Sequence, residues 1–255
     1  MDLIFILAFF ILGTIFGSFY NVVGYRIPKG ESILYPSSHC PKCNHKLKAI
    51  ELIPILSFIF LGGKCKKCKS KISMFYPLFE LLTGIGFMLS YLFFGLSLEC
   101  LYSIIFISML IIIIISDYQT MIIPDSVLIF SSLLLMFIMF FMSGIESVGI
   151  SLLHALGAFI FMLLLKLFGD FILKKGSMGG GDIKLLAVFG FVLGFPMSII
   201  SVFLSAFIAL PISLIILKIK KNHEIPFGPF LAISAAIIFF LQIDFNKIIE
   251  ILTIF

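Results

Sequence analysis

Eight apolar stretches, most of them about 20 residues long, follow one another along this chain of 255 residues. A helix of that length just crosses the hydrocarbon core of a bilayer, and a helix satisfies its own backbone hydrogen bonds in lipid. The composition agrees, because 61% of the residues are hydrophobic and only 12% are charged, against about 45–50% and about 25% in soluble domains. The sequence therefore predicts an all-α polytopic membrane protein with about eight transmembrane helices. They fall at residues 3–23, 77–96, 98–116, 123–142, 147–168, 183–196, 197–217 and 227–243.

The first apolar stretch is interpreted as a retained helix rather than a secretory signal. No Lys or Arg precedes it, whereas Arg26 and Lys29 follow it. This charge order is the reverse of a signal peptide, and the stretch is long enough to span the membrane. The same order predicts that the N-terminus lies outside and that the polar segment after the helix lies in the cytoplasm.

The basic residues cluster in the segments that eight spans would place on one side of the membrane. Ten of the 18 Lys and Arg residues lie between Arg26 and Lys71. Smaller clusters follow the fifth and seventh predicted spans, at Lys174, Lys175, Lys218, Lys220 and Lys221. By the positive-inside rule these segments are cytoplasmic, with Lys247 as the exception, and both termini are outside. Charges interleaved with membrane spans argue against a nucleic-acid partner, so membrane lipid is the expected surrounding of this chain.

Four of the five cysteines form two Cys-x-x-Cys pairs in the polar segment after the first helix. They are Cys40 and Cys43, then Cys65 and Cys68. Two such turns can complete a tetrahedral Zn²⁺ site, and neighbouring lysines offset the charge of four thiolates. Disulfides are disfavoured in the reducing cytosol, and an iron–sulfur centre is the remaining alternative. The expected domains are a first transmembrane helix (residues 1–25), a cytoplasmic module with structural zinc (26–76) and a transmembrane domain of about seven helices (77–255).

Asp117 and Asp182 lie where apolar stretches meet polar breaks. An ionisable residue at the end of a transmembrane helix is expensive to keep and is therefore a candidate functional residue. Both aspartates fall on the cytoplasmic side of the predicted topology. Two carboxyls at similar depth could share a proton and activate water, as in an aspartyl protease. For Asp182 the structural alternative is an N-cap of the sixth helix.

The residues around this pair also have structural alternatives. Asp125 follows a proline at the start of the fourth helix, so capping is its leading interpretation. Gly179 and Gly181 precede Asp182 and would let helices pack closely around a carboxylate. Lys184 could tune the charge of Asp182 or extend towards the interface. A phosphate-binding loop is disfavoured, because no strand precedes these glycines and the Gly-Lys-Ser/Thr ending is absent.

Four sequence blocks, in this order, resemble the type IV prepilin leader peptidases and their competence-system relatives along nearly the whole chain. The first block is Gly17-Ser18-Phe19 with Asn21-Val22 and Arg26-Ile27-Pro28, and the second is the cysteine module, continued by Ile72-Ser73 and Tyr76-Pro77-Leu78-Phe79-Glu80. The third runs from Asp117 to Pro124-Asp125, and the fourth is Gly179-x-Gly181-Asp182 with Lys184. The Gly-x-Gly-Asp element alone is shared with presenilin-type proteases, whereas the four blocks together are specific.

This resemblance implies two activities. Members of the family cut the basic leader from prepilins or pseudopilins just after a glycine on the cytoplasmic side, and many then methylate the new N-terminal residue with S-adenosylmethionine. By motif match, Asp117 and Asp182 become the catalytic pair, with Asp125 as a neighbour. The cysteine module favours the bifunctional form over shorter relatives that only cleave. No Gly-rich strand–turn–helix marks a place for S-adenosylmethionine, so the sequence assigns it no binding residues.

Two other classes compete with the peptidase. A proton-coupled transporter with a zinc-ribbon insert would also keep intramembrane aspartates, but transport sites usually lie near the midplane between repeats. The aspartates here are predicted at the cytoplasmic edge, and no internal repeat is visible beyond the alternation of spans. A non-catalytic assembly protein of a secretion system would tolerate Asp-to-Asn changes. No His-Glu-x-x-His or Gly-x-Ser-x-Gly motif indicates a metalloprotease or a serine nucleophile.

Overall fold

The computed structural model describes residues 2–174, 178–219 and 225–242, and every regular element among them is a helix. The α-helices in this part of the chain are α1 (Asp2–Arg26), α2 (Leu56–Phe60), α3 (Phe75–Phe94), α4 (Leu98–Thr120), α5 (Asp125–Leu173), α6 (Gly180–Leu193), α7 (Phe195–Ile219) and α8 (Gly228–Leu241). Two short 3₁₀ turns, Ile27–Lys29 and Ala49–Leu52, precede α2. The chain divides into two compact units, Met1–Thr120 and Met121–Phe255.

In the first unit, α1 and α3 approach each other closely because glycines line their contact. A Cβ built on Gly13 would lie 2.6 Å from a carbonyl oxygen of α3, and one built on Gly17 would lie 2.8 Å from Glu80 Cα. Both distances are too short for any side chain. The Gly-x-x-x-Gly spacing of Gly13 and Gly17 therefore allows close helix packing. Asn21 adds a polar link, because its Nδ2 donates to the Tyr76 carbonyl oxygen at 3.2 Å.

The α4 helix packs against both α1 and α3 and carries Asp117 at its end. At its contact with α1, a Cβ built on Gly24 would lie 2.7 Å from Ile115 Cγ2. The helix ends at Thr120, because Met121 has a left-handed backbone conformation with φ +57°. The cysteine module, which contains α2, lies between α1 and α3 in the chain.

In the second unit, the long helix α5 is broken in its middle. Gly144 has φ +78° and ψ 179°, a conformation that glycine tolerates and that lies far from helical values. The break separates an apolar half at 125–143 from another at 145–173. This agrees with the two separate spans predicted at 123–142 and 147–168.

The boundary between α6 and α7 differs from the prediction. The α6 helix ends before Gly194, which has φ +84°. Pro196 is therefore the second residue of α7, and the prediction that the sixth span extends to residue 196 is wrong. Proline is well tolerated in the first turn of a helix, where its missing N–H would have no partner anyway. A Cβ built on Gly190 would lie 2.6 Å from the His154 carbonyl oxygen, so α6 packs closely on the second half of α5.

Five helices of the described part of the chain are long and apolar enough to cross a membrane, namely α1, α3, α4, α5 and α7. Because α5 contains two predicted spans, and α6 and α8 are apolar helices of 14 residues each, all eight predicted stretches correspond to helices. The all-α membrane architecture with a cysteine module after the first span is confirmed. Lys175, Lys220, Lys221 and Lys247, and the predicted position of the C-terminus, lie outside the described residues.

Candidate active site and metal centre

The four predicted zinc ligands converge in the module between α1 and α3. Their sulfur atoms all lie within 4.8 Å of one another, with Cys40 Sγ 3.8 Å from Cys68 Sγ and Cys43 Sγ 3.9 Å from Cys65 Sγ. All four are free thiols rather than disulfides. Zn–S bonds of roughly 2.3 Å in a tetrahedron place the sulfurs about 3.8 Å apart. The donor set and its spacing therefore fit one structural Zn²⁺ ion.

The two cysteine turns share one backbone structure, repeated at residues 39–46 and 64–71. In both turns the N–H of the first cysteine donates to the carbonyl oxygen five residues later, and its own carbonyl accepts the N–H four residues later. That fourth residue, Asn44 or Lys69, has a positive φ of 54° or 58°. One antiparallel bridge closes each turn. The expectation of no internal repeat is therefore wrong, and the repeat was hidden because half of its eight positions differ in residue type.

Hydrogen bonds within the turns set the pKa values of the thiols before any metal binds. Backbone hydrogen bonds in its own turn lower the pKa of Cys40 to about 6. The Ser70 hydroxyl, 3.1 Å from the sulfur, and the Ser70 backbone lower the pKa of Cys68. A hydrogen bond from the His45 backbone lowers the pKa of Cys43, but burial and the other three sulfurs outweigh it and raise this pKa to about 11. Part of the donor set is thus thiolate near neutral pH, which favours capture of a cation.

A carboxylate braces the first cysteine turn. Glu51 Oε2 accepts the Lys48 N–H at 2.8 Å and lies 3.3 Å from His45 Nε2. These contacts, the backbone hydrogen bond first, lower the pKa of Glu51. His45 is thus held by Glu51 and supports the cysteine turn from outside the sulfur cluster.

Asp117 lies in the last turn of α4 with 6% of its surface exposed. Its neighbour Ser116 is fully buried, whereas Tyr118 is exposed and stacks on Phe75 with 5.2 Å between ring centroids. The C-terminal end of a helix carries partial negative charge, so this position disfavours a further negative charge. Asp117 is therefore a buried carboxyl at the negative end of the α4 dipole.

Asp182 lies in the first turn of α6 with 8% of its surface exposed. The structural alternative, in which Asp182 caps this helix, is wrong, because Gly179 is the N-cap and Asp182 is the third helical residue. Asp182 Oδ2 lies 3.5 Å from the position that a Cβ of Gly179 would occupy. The positive end of the α6 dipole favours a negative charge at this carboxyl.

Asp125 and Lys184 form an ion pair that the sequence analysis did not predict. Lys184 Nζ lies 2.7 Å from both carboxylate oxygens of Asp125, and both side chains are about half exposed. The capping role expected for Asp125 is wrong, because Pro124 is the N-cap of α5 and Asp125 directs its carboxylate to Lys184. Lys184 is thus engaged by Asp125, and its expected influence on the charge of Asp182 stays a prediction. The pair joins the start of α5 to the start of α6.

An apolar groove of about 480 Å³ extends from this ion pair between the two halves of α5 and α6. Its polar groups are the pair itself and Ser132, and the remaining walls include Leu128, Met136, Ala155, Val188 and Phe191. The ion pair therefore lies at the polar end of a groove whose other walls are mostly apolar.

Gly181 brings the start of α6 against the segment that precedes α5. A Cβ built on Gly181 would lie 2.8 Å from Ile123 Cβ, whereas one built on Gly180 would meet nothing within 4 Å. The predicted close packing around the carboxylate thus depends on Gly181. The nearest atom to a Cβ on Gly179 belongs to Asp182, at an ordinary contact distance.

A third buried carboxyl, Glu80 in α3, is only 8% exposed, and its Oε2 accepts the Ile55 N–H at 2.7 Å. In the sequence, Glu80 stands only at the end of the Tyr76-Pro77-Leu78-Phe79-Glu80 block. The signal was present, because Glu80 is the one acidic residue in the predicted span 77–96, and an ionisable residue within a span is a candidate functional residue.

Comparison with known proteins identifies the family. Residues 11–94 match the profile of the bacterial peptidase A24 N-terminal domain, and residues 104–214 match that of the type IV leader peptidase family. A prepilin leader peptidase/N-methyltransferase of Bacillus subtilis is 42% identical over 88% of this chain and 89% of the relative. Proteins of the same name from Neisseria gonorrhoeae (33% identical, 90% of this chain, 88% of the relative) and Pseudomonas aeruginosa (29%, 91% and 89%) also match. No solved structure matches the chain.

Both profiles and the coverage of these relatives show that the chain belongs to the type IV leader peptidase family. Asp117 and Asp182 fall in the segment matched to the leader peptidase profile. The four cysteines and Glu80 fall in the segment matched to the N-terminal domain.

Proposed function

We propose that this chain is a bifunctional membrane enzyme that cleaves the leader peptide from prepilin-like proteins and methylates the new N-terminal residue. The observation that carries the proposal is the pair of buried aspartates at helix ends, within a chain that matches the peptidase family along most of its length. The alternative of a proton-coupled transporter has no support, because the matching relatives are named for peptidase and methyltransferase activities.

In the proposed peptidase reaction, Asp182 acts as the general base on water and Asp117 donates a hydrogen bond to the scissile carbonyl. The α6 dipole supports a negative charge at Asp182, and the α4 dipole supports a neutral carboxyl at Asp117. Two carboxyls of unequal charge can share the work of an aspartyl protease, because one accepts a proton while the other polarises the bond to be broken. Asp125 and Lys184 would support the start of α6, and Gly179 and Gly181 its close packing.

The proposed substrate is a prepilin or pseudopilin whose basic leader is cut after glycine. The proposed site of action is the cytoplasmic side of the cell membrane, with both termini of this chain outside, because the basic segments of the sequence fall on one side of an eight-span topology. An anionic carboxyl at Asp182 would complement the positive charge of such a leader.

The cysteine module would hold a structural zinc ion through Cys40, Cys43, Cys65 and Cys68. Their sulfur spacing supports this ion, which would fix the two cysteine turns and the segment that joins α1 to α3. S-adenosylmethionine, the methyl donor implied by the name of the relatives, would supply the methyl group.

Co-expression with a candidate prepilin, followed by intact mass of the product, tests both activities at once. The expected product has lost its leader and gained one methyl group. Asp117→Ala and Asp182→Ala should each abolish leader loss, while Glu146→Gln, an exposed carboxylate in the second unit, should leave it unchanged. Cleavage near the wild-type rate in both alanine variants would refute the catalytic pair.

A further inference from the structure

A polar cluster inside the first unit contains a hydrogen-bond acceptor without a partner. Asn21 is 3% exposed, and its Nδ2 donates to the carbonyl oxygens of Gly17 and Tyr76 at 3.1 Å and 3.2 Å. These two bonds fix the orientation of the amide, so Oδ1 is the remaining acceptor. None of the residues that the structure describes donates a hydrogen bond to it. Buried polar atoms of this kind are rare, and one at a helix–helix contact points to a missing donor.

A carboxylate lies one helical turn from this acceptor. Glu80 follows Tyr76 by four residues on α3, and its Cα is the nearest atom to a Cβ built on Gly17, 2.8 Å away. Ser18, the residue after Gly17, is also close to this carboxylate. Asn21 and Ser18, three residues apart on α1, therefore face the helix turn that carries Glu80.

Glu80 has spare acceptor capacity despite its burial. An ionised carboxylate can accept about four hydrogen bonds, and the Ile55 N–H supplies one of them. Ile55 reaches Glu80 in a backbone conformation with φ +61°, which a β-branched residue rarely adopts. Strained backbone of this kind is typical of functional sites rather than of ordinary turns.

The cations nearest in sequence have other contacts. Arg26 Nη1 donates to the Ser32 carbonyl oxygen at 3.0 Å, and Lys29 Nζ lies 3.4 Å from the centre of the Tyr25 ring. The cluster thus combines acceptor atoms and one acidic group beside the end of α1, where the cysteine module begins. Its chemistry suits a ligand that is positively charged and carries several N–H donors.

We propose that Ser18, Asn21 and Glu80 bind the primary α-ammonium group of a methylation reactant. This inference rests on the proposed N-methyltransferase activity and gives it a place in the first unit. Two reactants carry such a group, namely the new amino terminus of the processed substrate and the methionine part of S-adenosylmethionine. Either would place its ammonium between the Glu80 carboxylate and Asn21 Oδ1.

The test compares purified full-length wild type with Glu80→Gln. Glutamine keeps the shape of the side chain, and its Oε1 can still accept the Ile55 N–H, so the change removes mainly the charge. Isothermal titration would measure binding of S-adenosylmethionine in one arm. The other arm would measure the binding of a short peptide with a free N-terminus, with the N-acetylated peptide as the reference. Glu99→Gln, an exposed carboxylate of the same unit, is the matched control.

We expect Glu80→Gln to weaken the binding of either S-adenosylmethionine or the peptide at least tenfold. The ligand whose binding is weakened is the reactant that the site holds. A peptide effect should disappear with the N-acetylated form. Unchanged affinity in both arms would overturn the proposed site. Zinc content and Glu80→Asp, which keeps the charge, separate this result from misfolding, because a purely structural defect would lower zinc content in both variants.

Methyl addition to a pre-cleaved substrate, followed by intact mass, keeps the two proposals apart. If the wild type binds the ammonium ligand but never adds a methyl group, the methyltransferase activity is refuted and the proposed binding site is supported. Wild type that adds the methyl group while Glu80→Gln binds and methylates equally well would refute the site alone.

Discussion

At the scale of single residues, Asp117 and Asp182 are almost equally buried but lie at opposite ends of their helices. The sequence predicted both as candidates, because each stands where an apolar stretch ends. It could not predict that Asp182 is the third residue of its helix, since three consecutive glycines leave several places for the cap. Asp182 nevertheless lies at the start of α6 and Asp117 at the end of α4, so the two carboxyls meet opposite ends of helix dipoles, and the roles proposed for them follow from that.

These roles predict an unequal effect of asparagine at the two positions. Asp182→Asn removes the proton acceptor and should lower the cleavage rate by about 10⁴-fold or more, whereas Asp117→Asn keeps an N–H donor and should lower it by about 10²–10³-fold. The measurement is the rate of leader loss in purified variants, followed by intact mass. Equal residual rates, or a slower Asp117→Asn, would reverse or remove the assignment.

The contact between Gly181 and Ile123 predicts that a single methyl group at residue 181 is harmful. Gly181→Ala would place a Cβ 2.8 Å from Ile123 Cβ, an overpacking that typically costs about 1–3 kcal/mol. Because the clash lies next to Asp182, we expect cleavage to fall at least tenfold. Gly180→Ala, which has open space around its Cβ, is the control and should retain activity.

A second substitution tests whether this loss comes from the contact itself. Removing the neighbouring side chain, in Gly181→Ala with Ile123→Gly, should recover part of the activity, because the clashing atom, Ile123 Cβ, is then absent. No recovery in the double variant, together with full loss in Gly180→Ala, would show that glycine is required there for another reason.

At the scale of elements, the cysteine turns show what spacing can and cannot predict. Two Cys-x-x-Cys pairs were enough to predict one tetrahedral site. The shared turn structure was not visible, because backbone hydrogen bonds and positive φ values at Asn44 and Lys69 depend on folding rather than on residue identity. Ser70 was missed for the same reason, since a hydroxyl beside a thiolate has no sequence signature.

The hydrogen bond from Ser70 predicts how zinc retention depends on pH. Protons compete with zinc for thiolates, so zinc is retained at neutral pH and lost as the pH falls. The hydroxyl lowers the pKa of Cys68, and Ser70→Ala should raise that pKa and shift the midpoint of zinc release to higher pH. Bound zinc, about one ion per chain in the wild type, can be measured by mass spectrometry of metals after equilibration across pH 4–8.

Ser37→Ala, an exposed hydroxyl in the same module, is the control for this experiment. It should release zinc at the same pH as the wild type. An identical midpoint for Ser70→Ala would show that the hydroxyl does not stabilise the metal-bound thiolate, and metal content near zero in active wild type would reject the zinc site.

At the scale of the whole molecule, hydropathy predicted the eight apolar helices and the break near residue 144, because lipid imposes helix length and backbone satisfaction on every span. It misplaced the boundary between the sixth and seventh helices at Pro196, because the positive φ of Gly194 ends the sixth helix earlier. It also missed the Asp125–Lys184 pair, whose members are 59 residues apart in the chain. Long-range partners of single charges depend on how helices pack, and no periodicity encodes them.

The predicted sidedness of the membrane protein can be measured directly with single cysteines. Glu146→Cys, in the turn between the halves of α5, should react with a membrane-impermeant maleimide in spheroplasts, because eight spans place that turn outside. Leu34→Cys, 84% exposed in the cysteine module, should exceed the labelling of the parent protein only after permeabilisation, because the module is expected in the cytoplasm. Both sites should react fully in permeabilised membranes, which controls for local accessibility. If Leu34→Cys is labelled in intact spheroplasts and Glu146→Cys is not, the topology is the inverse of the predicted one. The proposal that a cytoplasmic leader reaches Asp117 and Asp182 would then be refuted.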